Sequence, residues 1–273
     1  MYLVVTRSFP PELGGMQNLM WGLTNSIAKY NLTKVFADYQ ENHKEIDDSV
    51  SFSIERIGGT KLIRKYRKAY LINEFINKNK KVECIIADHW KSLELIKSDK
   101  KKVCLIHSKE INHDKGSRSN KRVLNVLNKV DHIVANSEFT KNLAIENGVN
   151  SDKIIVINPG VYPVKSIDNK ILDEAEKLLK DKNPRLITVS RFDKRKNHEK
   201  VIMALRNLKE IYPNIIYTCI GLGEEEENIK KLVKELSLEK QVLFLKDISQ
   251  NLNLVKENLK SSWDLCNQMK EWQ

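Results

Sequence analysis

The sequence predicts an α/β fold whose strands run parallel in buried sheets. Short apolar runs that lack polar alternation, such as residues 84–87, are typical of strands covered on both faces of a parallel sheet. These runs alternate with segments in which apolar residues recur every three or four positions, as after Met16, Val201 and Ile229. This alternation indicates helices that cross over between successive parallel strands.

Nine strands are expected from the apolar runs, in two groups along the chain. They are residues 2–5, 34–37, 84–87, 103–106, 132–135, 154–157, 186–189, 215–220 and 242–245. A boundary is expected between Pro159 and Pro184, because a polar helical stretch and a hinge precede a fresh strand there. The predicted organisation is an N-terminal domain (1–165), a linker helix and hinge (166–183), a second domain (184–250) and a helical tail (251–273).

Composition and charge limit the classes of function. The 273 residues carry a net charge of +11, which attracts phosphorylated substrates or anionic lipid, although solvated surface lysines explain it equally well. The basic residues are scattered and few aromatic residues lie among them, which argues against a nucleic-acid partner. No signal peptide or membrane-spanning run is recognisable, so we expect a cytoplasmic protein, with peripheral contact with an anionic membrane left open.

The four cysteines show no C-x-x-C spacing, and Cys84, Cys104 and Cys219 lie inside apolar runs. We interpret them as small buried apolar residues in a reducing compartment rather than as disulfides or zinc ligands. No metal site is expected.

Ligands of parallel sheets bind beyond the carboxyl ends of the strands, so residues there are the candidates for function. Gly14 and Gly15 follow the first strand at the start of a helix, where backbone N–H groups can approach a phosphate, although a tight turn alone would also need glycine. His107 ends another strand and could hydrogen-bond a ligand hydroxyl, but its position alone favours a structural histidine. His89 is a weaker candidate of the same kind.

The turn after residues 186–189 carries Arg191 and Lys196, a planar fork of donors and a compact charge that could converge on one anion. They could stabilise a leaving diphosphate, or they could be a solvated basic turn. Gly221, in a third strand-to-helix turn, is a weak signal by itself.

Five segments taken together resemble glycosyltransferase family 4, and they occur in the family's order. They are residues 10–15 (PPELGG), 135–140 (ANSEFT), 157–161 (INPGV), 190–196 (SRFDKRK) and 220–223 (IGLG). The resemblance extends from residue 1 to about residue 247. It implies two Rossmann-like domains of the GT-B type and a sugar transfer with retention from a nucleotide-sugar donor to a polysaccharide or glycolipid acceptor.

The resemblance also implies roles for individual residues. Gly14 and Gly15 would contact the donor's phosphate and sugar, and His107 would stabilise the transition state beside that sugar. The resemblance places the acceptor on the N-terminal domain and the nucleotide on the second, with the two domains facing across a shared gap.

In the second domain, Arg191 and Lys196 would hold the leaving diphosphate, and Gly221 and the backbone near Lys246 would lie by the nucleoside. No metal or other cofactor is expected, because the two cations would take its place.

The chain departs from the family near its C-terminus. Nothing after Asp247 matches the family's pair of carboxylates eight residues apart, and Tyr162 stands where the family usually has Asp. We therefore expect an incomplete C-terminal domain, from a deletion or a frameshift rather than a natural short variant, and weak or no transferase activity. The alternatives are a non-catalytic module that binds nucleotides or anions, and a fragment that binds a partner.

Overall fold

The computed structural model describes residues 1–12, 14–160 and 169–245. It divides the chain into two compact units, Met1–Pro163 and Val164–Gln273. Within the described residues every pair of neighbouring strands is parallel. The predicted α/β class is therefore confirmed, while the domain boundaries drawn from the sequence stay predictions.

The first unit is built around a sheet of seven strands. They are β1 (Tyr2–Val5), β2 (Thr33–Asp38), β3 (Ser53–Ile57), β4 (Cys84–Ala87), β5 (Lys101–Ile106), β6 (His132–Ala135) and β7 (Ile154–Val156). Their order across the sheet is β3-β2-β1-β4-β5-β6-β7. The first six strands thus follow the order of a doubly wound dinucleotide-binding sheet, which changes direction between β1 and β4.

Helices cover both faces of this sheet. They are α1 (Gly15–Ala28), α2 (Lys44–Asp48), α3 (Lys61–Lys78), α4 (Trp90–Leu93), α5 (Arg118–Leu127) and α6 (Glu138–Glu146). Alternate residues of β1 enter separate cores, because successive side chains of a strand point to opposite faces. Leu3 and Val5 belong to one buried cluster and Val4 to another, and all three are fully buried.

The second unit contains a smaller sheet in its described part. Its elements are α7 (Asn169–Leu178), β8 (Arg185–Val189), α8 (His198–Ile211), β9 (Ile216–Ile220), α9 (Glu226–Glu235) and β10 (Val242–Leu245). The strands lie in the order β10-β9-β8. One face carries the main core, centred on Phe192 and Tyr217, and the other a small cluster around Leu179 and Ile216.

The sequence located nine of the ten described strands to within two residues at each end, and it missed β3. Within the described residues this strand pairs only with β2, at the edge of the sheet, and its sequence S-I-E-R-I has no continuous apolar run. Cys84, Cys104 and Cys219 are buried free thiols, as expected. Tyr162, Lys246 and the tail of residues 251–273 lie outside the described residues, and the predictions that concern them stay predictions.

Candidate functional site

Asp88 joins the two strands between which the larger sheet changes direction, the place where such sheets bind ligands. It follows β4 and is buried. Its carboxylate accepts hydrogen bonds from the Thr6 hydroxyl at 2.8 Å, the Arg7 backbone N–H at 2.9 Å and the Ser92 hydroxyl at 3.1 Å. The chain that leaves β1 is therefore fixed directly before residues 10–15, which we call the glycine turn.

Gly14 and Gly15 stand at the N-terminus of α1 and differ in their surroundings. A Cβ on Gly14 would collide with the side-chain amide of Gln17, whereas a Cβ on Gly15 would meet no heavy atom within 4 Å. Packing requires glycine at neither position, because the flexible end of the Gln17 side chain can move away from a Cβ on Gly14. Gly14 has no side chain with which to cap α1, so the helix presents backbone N–H groups at this end.

Arg56 of β3 holds the start of the glycine turn. Its side chain is only 4% exposed, and it donates to the Pro10 carbonyl at 2.7 Å and to the Asp47 carboxylate at 2.6 Å. Glu12 and Gln40 add a reciprocal pair of hydrogen bonds, each of 2.9 Å. Sequence analysis missed Arg56 because it missed the strand that carries it.

A groove of about 630 Å³ opens beside this turn. Its lining includes Pro11 and Glu12 of the turn, Arg7 after β1, Asp38 at the end of β2 and Arg64 of α3. It lies at the carboxyl ends of the strands, where the sequence places a ligand.

His107 directly follows β5, where its ring is half-buried. Its backbone N–H donates to the Glu110 carboxylate at 2.5 Å, and its Nε2 atom is buried without a hydrogen-bond partner among the described residues. Burial lowers the pKa of His107, although the carboxylates of Glu110 and Asp88 oppose this shift. The ring is therefore neutral near pH 7.

His89 has a structural task. Its Nδ1 atom accepts a hydrogen bond from the Lys91 backbone N–H at 3.0 Å and so caps α4. Burial, together with the positive charges of Arg7 and Lys91, lowers the pKa of His89 to about 3. A neutral ring is what this capping bond requires, because a protonated Nδ1 could not accept it.

Arg191 and Lys196 are both exposed in the second unit, on the turn between β8 and α8. Neither side chain forms a hydrogen bond or an ion pair with any residue in the described ranges. Arg195, which lies between them, is paired with Asp193 at 3.1 Å. The turn therefore leaves the charges of Arg191 and Lys196 without a carboxylate partner in the described structure.

His198, at the start of α8, packs against this turn. The sequence did not predict it. It is buried, its ring stands edge-on to Phe192 with centroids 4.9 Å apart, and its Nε2 atom lies 3.4 Å from the Ser190 hydroxyl. Burial lowers the pKa of His198. The only signal in the sequence is a histidine just before the apolar face of α8, and that pattern also fits a surface residue.

Gly221 and Gly223 allow a second turn to pack on the first. Gly221 has a φ of 145°, and a Cβ there would collide with the Ser190 carbonyl. A Cβ on Gly223 would lie 2.7 Å from the Phe192 backbone nitrogen. The Phe192 N–H donates to the Leu222 carbonyl at 3.0 Å, which continues the pairing of β8 with β9 beyond both strands. These glycines have a packing role, whatever ligand Gly221 contacts.

The conspicuous N-S-x-x-T segment caps α6. The Ser137 hydroxyl accepts from the Thr140 backbone N–H at 3.2 Å, and the Thr140 hydroxyl donates to the Asn136 side-chain oxygen at 2.7 Å. The Asn158 side chain donates to the Asn136 carbonyl at 3.2 Å. This segment therefore needs no ligand to explain its residue types.

Residues 1–12, 14–160 and 169–245 contain no cluster of three or more His, Cys, Asp or Glu side chains arranged to hold a metal ion. Within the same ranges, no helix has the length and apolar character needed to span a bilayer.

Comparison with family models identifies both parts of the chain. The model described as "Glycosyltransferase Family 4" matches residues 14–165, more than half of the sequence. The model described as "Glycosyl transferases group 1" matches residues 169–262 and so extends beyond residue 247, where the recognisable motifs end. The start of the first match coincides with the glycine turn.

Individual relatives match over shorter segments. A Campylobacter jejuni protein named N-acetylgalactosamine-N,N'-diacetylbacillosaminyl-diphospho-undecaprenol 4-alpha-N-acetylgalactosaminyltransferase is 33% identical over 43% of this chain and 30% of its own length. An uncharacterized glycosyltransferase of Haemophilus influenzae is 30% identical over 42% of this chain and 30% of its own length. The matched segment is thus less than a third of either relative.

Solved structures resemble the chain over most of its length. Anabaena HepE in complex with UDP and glucose superposes with a TM-score of 0.73 at 17% identity, covering 93% of this chain and 72% of HepE. A glycosyltransferase from Rickettsia africae gives a TM-score of 0.71 at 19% identity, covering 93% of this chain and 70% of the other. At these identities the likeness concerns the fold.

Proposed function

The chain belongs to glycosyltransferase family 4, and we propose that it transfers a sugar from a nucleotide-activated donor to a saccharide or glycolipid acceptor. One observation carries the proposal: Arg191 and Lys196 are exposed on one strand-end turn, with no partner in the described ranges. This turn carries four cations, of which only Arg195 is paired with a carboxylate in the described ranges, and such an excess of positive charge is suited to an anion of more than one charge.

The proposed chemistry is electrostatic stabilisation of the leaving group. When the bond between the donor sugar and its diphosphate breaks, negative charge develops on the diphosphate oxygens. Arg191 offers a planar fork of donors and Lys196 a compact charge, and both would stabilise that charge as it forms. No metal or other cofactor is required in this scheme, because the two cations supply the positive charge.

The glycine turn and His107 would act on the sugar side of the same bond. Gly15 has open space where a Cβ would stand, so its backbone can approach the donor closely. His107 is neutral and has an unpartnered Nε2, which suits a hydrogen bond to a sugar hydroxyl. We propose that the glycine turn contacts the phosphate and sugar of the donor and that His107 stabilises the transition state. We also propose that the transfer retains the configuration of the donor sugar.

We further propose that Gly221 and the backbone near Lys246, which is outside the described residues, contact the nucleoside. Anabaena HepE was solved in complex with UDP, which supports a nucleoside diphosphate as the leaving group. The name of the Campylobacter relative describes transfer to a sugar linked to diphospho-undecaprenol, which supports a glycolipid acceptor. The groove beside the glycine turn is where we place that acceptor.

A calorimetric titration with UDP tests the donor site. Arg191→Ala/Lys196→Ala is expected to weaken binding by at least about 100-fold, because each charged contact to a phosphate contributes at least on the order of 1.5 kcal/mol. The matched control is Lys194→Ala/Lys200→Ala, which removes two exposed charges from the same turn and the start of α8. Equal losses in the two double variants would refute the proposed donor site.

A second candidate is nucleotide binding without transfer. It is favoured by our prediction that the sequence after Asp247 lacks the family's carboxylate pair. Measuring the release of UDP from UDP-sugars, with and without lipid-linked saccharides, decides between the two. A chain that binds UDP but never cleaves UDP-sugars is a binding module. Adsorption to anionic vesicles that falls with salt would support a peripheral role at the inner face of the cell membrane.

A further inference from the structure

A second cavity in the first unit, beneath α3, is lined mainly by positive charge. Its volume is about 170 Å³, whereas one water needs about 10–15 Å³. The basic residues that line it are Arg7, Lys61, Arg64, Lys65, Lys68 and Lys91. One carboxylate, that of Asp38, lies among them.

Carboxylates neutralise only part of this charge. Asp38 pairs with Lys68 and with Arg64, the latter at 3.0 Å. Glu94 pairs with Lys65 at 2.7 Å and also with Arg122 at 2.8 Å. Two acids therefore serve four cations.

The side chains of Arg7, Lys61 and Lys91 have no carboxylate partner in the described part of the chain. Substituting them would leave no acid unpaired. Lys91 makes one further contact, its ammonium lying 5.2 Å from the centroid of the Trp90 ring.

Burial and the crowding of the cations lower the pKa values of two of them. Burial lowers the pKa of Lys91, and the charges of Arg7 and Arg122 lower it further. Burial also lowers the pKa of Lys68, against the opposing effect of Asp38. Like charges held together in a partly desolvated cavity favour the entry of an anion, which would oppose these pKa shifts.

The cavity adjoins the groove of the proposed acceptor site. Arg7, Asp38 and Arg64 line both, and the groove extends from them to Pro11 and Glu12 of the glycine turn. A ligand with its anionic group in the cavity could thus extend along the groove towards the turn to which we assigned the donor sugar.

We propose that this cavity binds a phosphate or diphosphate group of the acceptor, an inference that rests on the proposed transferase function. A group with more than one negative charge matches several cations without partners better than a single carboxylate does. The source of the phosphate is either a lipid or a water-soluble sugar phosphate. Next to the cavity residues, α3 exposes Leu62, Tyr66 and Tyr70, so a lipid phosphate is one arm of the test.

The test titrates inorganic pyrophosphate into the full chain by calorimetry. All proteins carry Arg191→Ala/Lys196→Ala, so that the proposed donor site does not contribute. Arg7→Gln/Lys91→Gln removes two cavity charges. Arg67→Gln/Lys97→Gln, the matched control, removes two exposed charges from α3 and from the segment after α4. We expect the cavity variant to bind pyrophosphate about 30-fold more weakly than the control.

Equal pyrophosphate affinities in the cavity and control variants overturn the proposal. The donor site is tested separately by UDP binding to chains with Arg191 and Lys196 intact. In those chains Arg7→Gln/Lys91→Gln should change the UDP affinity less than about twofold, which corresponds to about 0.4 kcal/mol, because the substituted residues do not belong to the proposed UDP site. A chain that binds pyrophosphate in the cavity but never binds UDP would refute the proposed function and leave the cavity assignment standing.

Sedimentation with phosphatidylcholine vesicles, with and without phosphatidic acid, distinguishes the two sources. Adsorption that needs phosphatidic acid, is competed by pyrophosphate and is lost in the cavity variant identifies a lipid phosphate. Pyrophosphate binding without adsorption identifies a water-soluble phosphate. Adsorption that is equal in both variants, with equal pyrophosphate affinity, assigns the charge to the general surface and sinks the proposal.

Discussion

β1 and β8 hold corresponding places in the two units, yet their surroundings differ. Each precedes a turn to which we assign part of the donor site. β1 lies between β2 and β4, and Leu3, Val4 and Val5 are fully buried. β8 pairs only with β9 within the described structure, and Val189 at its end is 43% exposed. β1 is thus flanked by a strand on each side, whereas β8 is flanked on one side only within the described residues.

The turns that follow these strands are held in different ways. Side chains hold the first turn: Asp88 binds the end of β1, and Arg56 binds the Pro10 carbonyl. Backbone packing holds the second, because Gly221 and Gly223 let the next turn lie against it. The first turn can therefore accept a Cβ at Gly15 without a collision, whereas the second has no room for an added carbon at Gly221 or Gly223.

The helix N-termini differ in whether a side chain caps them. In the first unit α4, α5 and α6 are capped by the side chains of His89, Ser117 and Ser137. The N-cap residues of α1, α8 and α9 make no such bond. These three helices follow the turns assigned to the donor, where a ligand would satisfy some of their backbone N–H groups; α2 and α3 follow no such turn and also lack a side-chain cap.

Gly221→Ala should have the largest effect on stability. Its φ of 145° is strained for alanine, and the new Cβ would collide with the Ser190 carbonyl. We expect a loss of about 4 kcal/mol, at the upper end of single substitutions. Urea unfolding followed by hydrogen exchange should show lost protection in Ile216–Ile220 while Tyr2–Val5 stays protected.

Unchanged protection of β9 in Gly221→Ala would contradict the rigid packing of the two turns. Loss of protection in β1 as well would show that the units do not unfold separately. Either result would break the contrast between a turn held by side chains and one held by backbone.

The second prediction compares the two strands directly. Leu3→Ala removes a fully buried side chain and should cost about 3 kcal/mol, whereas Leu186→Ala, on a partly exposed strand, should cost about 1 kcal/mol. Urea midpoints of the two variants, measured with hydrogen exchange in each sheet, check this. Equal costs would mean that β8 is covered as well as β1, and the predicted incompleteness of the second domain would fail.

Such differences between the units limit what the sequence could predict. Strands buried on both faces were recognised because continuous apolar runs mark them, and β1, β4, β6 and β10 were located to the residue. β3 was missed because an edge strand tolerates Glu55 and Arg56 between its apolar residues. A run of apolar residues indicates a buried strand, but a strand in which polar residues interrupt the run cannot be recognised in this way.

The site shows the same limit. Arg191 and Lys196 were predicted because two cations that follow a strand end are visible in the sequence, whereas their lack of partners in the described ranges is visible only in the fold. His198 and Arg56 were missed because their roles depend on contacts with residues far along the chain or across the turn. The two reasons for glycine, backbone collision at Gly221 and open space at Gly15, are indistinguishable in the sequence and differ only in the fold.

Gly15→Ala should have the smallest effect on stability and a large effect on function. A Cβ meets nothing within 4 Å there, and alanine favours a helix, so unfolding free energy should change by less than about 0.5 kcal/mol. A methyl group between the turn and the donor should nevertheless lower the rate of UDP release from a UDP-sugar by about 10-fold to 100-fold. Ser26→Ala, at the exposed far end of α1, is the control and should change neither quantity.

The outcome of Gly15→Ala distinguishes the two reasons for glycine. If both stability and UDP release stay unchanged, then the open space beside Gly15 is not used by the donor, and the phosphate assignment of the turn is wrong. If stability falls as it does in Gly221→Ala, then packing accounts for both glycines and the contrast between the units disappears. Only unchanged stability with a slower reaction supports a turn kept open for a ligand.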